Sequence, residues 1–174
     1  MRDNDNPLDS ELDYKLYKYN IESGEISKIS DENIDNYAID SENNILYYHV
    51  CKGDLYKMNM EDYTTKDIGQ DVDLFLCKMT YNDEHLYLDN LQSMALGLDS
   101  GRKVYVLDTD GNLVKTIKLE GELFAGVLEY SEGDYIFCKD LMNWYIIDKN
   151  DLYSSKGDEY YKVTKLNISG LKVD

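Results

Sequence analysis

Apolar positions along this chain come in short runs, many of them alternating with polar ones, and a polar turn breaks every run. Four runs align without gaps: LYKYN (Leu16 to Asn20), LYKMN (Leu55 to Asn59), VYVLD (Val104 to Asp108) and WYIID (Trp144 to Asp148). Their second column is always Tyr, and their fifth is always Asn or Asp. The tyrosines Tyr17, Tyr56, Tyr105 and Tyr145 are spaced by 39, 49 and 40 positions. A polar turn follows each run (ESGE, EDYT, TDGN, KNDL), and a further short strand pattern follows at least the first three. A second set precedes three of the runs: NYAIDSENNILYYHV, LFLCKMTYNDEHLYLDN and LFAGVLEYSEGDYIFCKD. Each member is two apolar runs around a polar turn, which reads as a hairpin. No stretch holds a long 3.6-residue apolar period, so little helix is expected.

The repeating unit is therefore four strands, a to d, over about 40 residues, the size of one propeller blade. Asp110-Gly111-Asn112 carries a hairpin-turn signature, and Ser23-Gly24 a weaker one. The later c strands, VYVL and WYII, are apolar on both faces, as a sheet held between two other sheets requires. A β-sandwich is the rival fold, but a sandwich does not usually keep Tyr in one column at this period. The expected fold is all-β and propeller-like, with about three and a half four-stranded antiparallel blades. The expected organisation is an N-terminal linker (1–11), a repeat domain (12–166) and a C-terminal tail (167–174). Within the domain lie a half blade at 12–30 and blades at 36–69, 74–119 and 123–166. Three and a half blades do not obviously close a ring, which needs about four or more. Three routes are open: part of a larger ring, self-association that completes the blades, or an open arc with capped ends.

The stretch NILYYHVCKGDLYKMNMEDYTTKDIG resembles repeats of secreted or lipid-anchored clostridial β-propellers related to the YWTD and TolB types. The matching residues are Leu46, Tyr47 and Tyr48, then Leu55, Tyr56, Lys57, Met58 and Asn59. The resemblance covers roughly residues 12–166. The YWTD tetrapeptide itself is absent; LYYH and LYLD stand in its place. The resemblance implies a recognition platform.

Charge narrows the partners. With 18 Lys and Arg against 35 Asp and Glu, the net charge is -17. Such a chain repels phosphate backbones and anionic membranes, so neither nucleic acid nor membrane insertion is expected. No apolar run approaches the ~18 residues of a membrane helix. The 17 Tyr, against 3 Phe and 1 Trp, suit half-buried pleated surfaces. Cys51, Cys77 and Cys138 form an odd set without CxxC spacing, which favours free thiols. The acidic, Pro-containing start slightly favours an extracellular or cell-surface protein whose signal segment has been removed; a cytoplasmic protein is the alternative.

Catalytic motifs are scarce. GxSxG, GxxxxGK[ST] and GxGxxG do not occur. His49 and His85 fall at different points of the b strands and read as structural. Asp108, Asp110 and Asn112 begin like a calcium loop, but Leu119 stands where the closing Glu should be, so no cofactor is expected and a hairpin turn is favoured. The best binding candidate is the segment that lengthens one b–c connection, Asn90 to Gly101. It carries Leu91, Gln92, Met94, Leu96, Leu98 and Asp99, apolar for so acidic a chain. The leading expectation is a non-enzymatic module that recognises a protein or cell-surface ligand. The alternatives are an acidic inhibitor, or nucleic-acid mimic, that binds a basic protein, and a carbohydrate-active propeller enzyme.

Overall fold

A computed structural model describes residues 15–50, 54–69, 77–90, 102–120, 127–139, 143–150, 160–162 and 164–166. The chain begins with a two-stranded sheet, β1 (Tyr17–Tyr19) and β2 (Ile26–Lys28). A meander follows: β3 (Ile34–Asp40), β4 (Ile45–Val50), β5 (Leu55–Asn59) and β6 (Thr65–Asp67). The next meander is β7 (Cys77–Asn82), β8 (His85–Asn90), β9 (Arg102–Asp108) and β10 (Leu113–Glu120). The last sheet orders β11 (Val127–Glu132), β12 (Tyr135–Lys139), β13 (Trp144–Asp148) and β15 (Thr164–Lys165). Before β15 forms, β14 (Tyr160–Lys162) pairs in parallel with β10 of the preceding sheet, which thereby gains a fifth strand. The parallel strand ties the last two sheets together across their outer edges.

The inner strands β3, β7 and β11 succeed one another, with β7 in contact with both of the others. The sheets are thus stacked blades, and the described strands do not close into a ring. Three apolar cores lie between neighbouring sheets. Leu46, Tyr48 and Met58 of the first full sheet pack with Leu16 and Ile29 beside the β1–β2 pair. Tyr47 and Leu55, on its other face, meet Leu86, Leu88 and Leu107 of the second. Tyr87, Val104 and Val106 then meet Ile136, Tyr145 and Ile147 of the third. Each fully buried aliphatic or aromatic side chain contributes roughly 1.5–3 kcal/mol.

Strand alternation makes these cores one pattern. In the c runs, the first residues Leu16, Leu55 and Val104 join the core with the following blade, while Tyr56, Tyr105 and Tyr145 of the second column join the core with the preceding one. Tyr56 stacks on Tyr48 with ring centroids 5.3 Å apart, Tyr105 packs on the second core, and Tyr145 is buried in the third. The fifth column caps the c–d turn in all four copies. Asn20 Oδ1 accepts from the Glu22 and Ser23 amides, and Asn59 Oδ1 from the Glu61 amide. Asp108 Oδ1 accepts from the Asp110 and Asn112 amides, and Asp148 Oδ1 from the Asn150 amide. Asn and Asp suit this column because their short side chains carry an acceptor that reaches the amides two or more residues on.

Lysines stitch each sheet to the next. Lys18 donates to the Tyr63 hydroxyl (3.1 Å), and Lys57 donates to Thr109 O (3.1 Å) and pairs with Asp110 (3.3 Å). Gly111, at φ 85°, brings the c–d turn of the second full blade so close to the first full blade that a Cβ would stand 2.0 Å from Ile68 O.

Candidate functional site

The a–b turns of the first two full blades stand side by side and enclose a polar groove of about 550 Å³. Its walls are Ile39 to Asn43, from the β3–β4 turn, and Tyr81 to Glu84, from the β7–β8 turn. Propeller topology brings these together, because each a–b turn returns to the same rim.

Asp40 is the structural centre. It is buried, yet all its acceptor positions are served from nearby. Its Oδ1 accepts from the Glu42 and Asn43 amides (3.2 and 3.1 Å), and its Oδ2 from Asn43 Nδ2 (2.8 Å) and the Tyr81 hydroxyl (2.7 Å). Burial alone would raise the Asp40 carboxyl, but the bonds from Asn43 and Tyr81 outweigh it and hold the group below its ordinary value. Tyr81 also stacks on Tyr47, centroids 5.4 Å apart at 19°. Burial pushes the Tyr47 phenol up to about 12, with Asp40 and Asp110 adding to the effect. Burial and the bond to Asp40 raise the Tyr81 phenol as well. Both tyrosines therefore stay neutral at physiological pH, and the Asp40 carboxylate stays charged.

The β7–β8 hairpin closes through two residues, Asp83 and Glu84, with φ of 48° and 61°. A two-residue turn of this hand requires positive φ at both positions and is usually built with Gly or Asn. Here two acidic side chains hold it, at a cost in backbone strain. The compensation comes from the third full blade. Lys149, 4% exposed, donates to Asn82 Oδ1 (2.6 Å), Asp83 Oδ2 (2.7 Å) and Gly133 O (2.5 Å). Its ammonium is spent on these bonds, and the groove presents the carboxylates of Glu42 and Glu84 with no lysine among the described residues of its lining. Such a surface accepts hydrogen bonds from ammonium, guanidinium or hydroxyl groups.

The other sequence-level candidates resolve as follows. Asp108 gives its oxygens to the amides of Asp110 and Asn112 and to Asn112 Nδ2 (2.9 Å), while Asp110 pairs with Lys57 and Lys66. That motif is a capped hairpin turn. Among the described residues, no group of three or more His, Cys, Asp or Glu side chains is placed to hold a metal ion. His49 is buried, 3.7 Å from the Asp35 carboxylate, and Cys138 is buried in the third core. The binding candidates Leu91, Gln92, Met94, Leu96, Leu98 and Asp99 lie outside the described residues; the strands that flank them end at the rim opposite the groove. The groove residues were legible only as the hairpin turns DSENN and YNDEH. Their signal was the same acid-and-amide content at equivalent places in adjacent copies.

No protein-family model matches the chain, and no curated protein does. The likeness is to solved structures. A structure of streptogramin B lyase is similar at a TM-score of 0.58 and 13% identity, over 89% of this chain and 48% of that one. The WD40 domain of Toxoplasma gondii coronin is similar at 0.55 and 13%, over 78% of this chain and 37% of that one. Both likenesses show the fold: a partial β-propeller. The chain spans about half the length of the lyase structure, and no match ties it to the clostridial repeats that its sequence resembles.

Proposed function

We propose that this chain is a non-enzymatic recognition module that binds a protein partner through the groove between its first two a–b turns. One observation carries the reading: two adjacent turns, one strained and clamped by Lys149, form a concave surface of acceptors about the size of a ligand site. The favoured occupant is a basic side chain of the partner. Propeller neighbours such as the coronin WD40 domain fit an interaction role. The buried carboxylate of the groove, Asp40, is occupied by its own turn and by Tyr81, which leaves it poorly placed as an acid or base. We take the module to act at the cell surface, as the resembled repeats do, and protease shaving of intact cells tests that.

The binding test uses a lysine- and arginine-rich peptide library against the wild-type chain and a Glu42→Gln/Glu84→Gln variant. The expected result is a peptide whose affinity falls about tenfold or more in the variant, by about 1.4 kcal/mol. Diffuse attraction to an acidic surface would hardly change when 2 of 35 acidic residues are neutralised. An unchanged affinity would therefore favour the acidic-inhibitor alternative. The segment Leu91 to Asp99 is a second proposed contact; Leu96→Ser and Leu98→Ser should then weaken capture of a partner that the groove variant still binds.

A further inference from the structure

The half blade leaves part of its neighbour bare. Tyr37 and Ile39 of β3 pair with Tyr48 and Leu46 of β4, so all four share the face that meets the β1–β2 pair. In the second full blade the corresponding residues of β7 are Met79 and Tyr81, which pair with Leu88 and Leu86 of β8. There Ala38 and Tyr47, from the a and b strands of the blade before, help to enclose them, and Met79 is only 4% exposed. Among the described residues, the sheet before β3 holds a c and a d strand alone. Tyr37 and Ile39 accordingly remain 53% and 47% exposed. Beside them lies a groove of about 250 Å³, lined by Lys15, Leu16, Ile34, Asp35 and Tyr37. Leu16 and Ile34 also belong to the first core, so the groove continues an interface that the chain already has.

The backbone of β1 points to the same place. The Ile29 amide donates to Leu16 O and the Asn20 amide to Glu25 O, so the even-numbered residues bond to β2. Antiparallel geometry then turns the amides and carbonyls of Tyr17 and Tyr19 to the other edge. In the first full blade the same columns, Tyr56 and Met58, stand opposite Tyr48 and Leu46 of the b strand β4. Among the described residues, no strand pairs with β1 on that edge. We propose that this edge and groove take a strand of another protein by β-strand addition. The strand is an extended segment with aliphatic and aromatic side chains at alternate positions and Lys or Arg at its ends. It pairs antiparallel with β1 and lays one apolar face on Tyr37 and Ile39. The chain's own β4 shows why alternation is required. Its Ile45 and Tyr47 pack on the second core, and Tyr47 stacks on Tyr81, the counterpart of Ile39. The basic ends complement a receiving chain of net charge -17. This strand site goes beyond the acidic-groove reading and does not depend on it.

The probe is a fluorescein-labelled peptide that carries the β4 sequence, Asn44 to Val50, between lysines. It is titrated with the full chain in about 0.15 M salt, which screens diffuse attraction to the acidic surface. Fluorescence anisotropy should show saturable binding that a peptide of the same residues in non-alternating order lacks. N-methylation of the peptide amides at the Leu46 and Tyr48 positions, on the edge towards β1, should weaken binding about tenfold or more. The same change at the Tyr47 and His49 positions, on the outer edge, should leave binding nearly unchanged. Tyr37→Ser removes an exposed ring from the floor and should weaken binding about tenfold, with an unchanged strand signal in circular dichroism. Tyr19→Pro removes an outward amide without touching the bonds to β2, and should do the same. Absence of saturable binding would overturn the proposal. So would equal binding of the reordered peptide, equal losses from methylation on the two edges, or binding that survives Tyr37→Ser. A free chain that light scattering shows to be dimeric, with the peptide unbound, would overturn it in favour of a second copy on this face.

Discussion

Two glycines show how differently one backbone conformation can be used. Gly111 and Gly24 both sit in c–d turns at positive φ, 85° and 72°. At Gly24 a Cβ would meet nothing within 4 Å, so Gly24→Ala should cost only the left-handed penalty of about 1–2 kcal/mol. At Gly111 the same Cβ would strike the Ile68 carbonyl, which is backbone and cannot swing aside. Gly111→Ala should therefore cost clearly more than Gly24→Ala, and urea melts of both variants measure the difference. The Asp40–Tyr81 bond sets the acid side of stability. Asp40's folded value lies below its unfolded value of about 3.9. Its contribution is thus fully present above about pH 4 and is lost as the pH falls through the depressed folded value. Tyr81→Phe removes a hydrogen bond to a charged group, worth about 1.5–3 kcal/mol. The gap between variant and wild type should be full at pH 7 and should narrow towards pH 2 in denaturant titrations.

At the scale of strands and turns, the lysines join what apolar packing alone leaves loose. Lys149 is the strongest case, because it holds a turn with two non-glycine residues at positive φ. Lys149→Met keeps the bulk and removes the three bonds. We expect a loss of about 2–3 kcal/mol, on the low side for a buried ion pair because Asp83 is largely exposed. Amide exchange should speed up at Asp83 and Glu84 before it does elsewhere in the sheet. The sequence announced the hairpins but not this clamp. Column repeats and turn residues are local, so the Tyr and Asn/Asp columns of LYKYN, LYKMN, VYVLD and WYIID were readable from spacing alone. Lys149 and Asp83 are 66 positions apart, and only the stacking of blades brings them together. The same holds for β14, whose parallel pairing with β10 has no local signature. The groove was hidden for a related reason. Its two walls read as ordinary turns until fold order placed them on one rim.

Across the whole molecule, stability is a chain of neighbour contacts. Each core joins two successive sheets, so the blades behave as a nearly one-dimensional stack. A defect should then be felt mainly at its own joint. Leu46 is buried in the core beside the β1–β2 pair, while Leu55, on the same sheet, is buried in the next core. Both Leu→Ala changes should cost in the range of about 2–5 kcal/mol, but with different reach. The β1–β2 pair has two strands, and one apolar core holds it to the rest. An isolated two-stranded hairpin is marginal in water. Leu46→Ala should therefore release it while the sheets that contain Tyr87 and Ile136 keep their protection. Leu55→Ala strikes between two full sheets and should lower protection on both sides of its joint. Residue-resolved hydrogen exchange separates the two outcomes. Equal loss of protection everywhere in the Leu46→Ala chain would mean that the stack unfolds as one cooperative unit, and that the end sheet is bound more tightly than its single core explains.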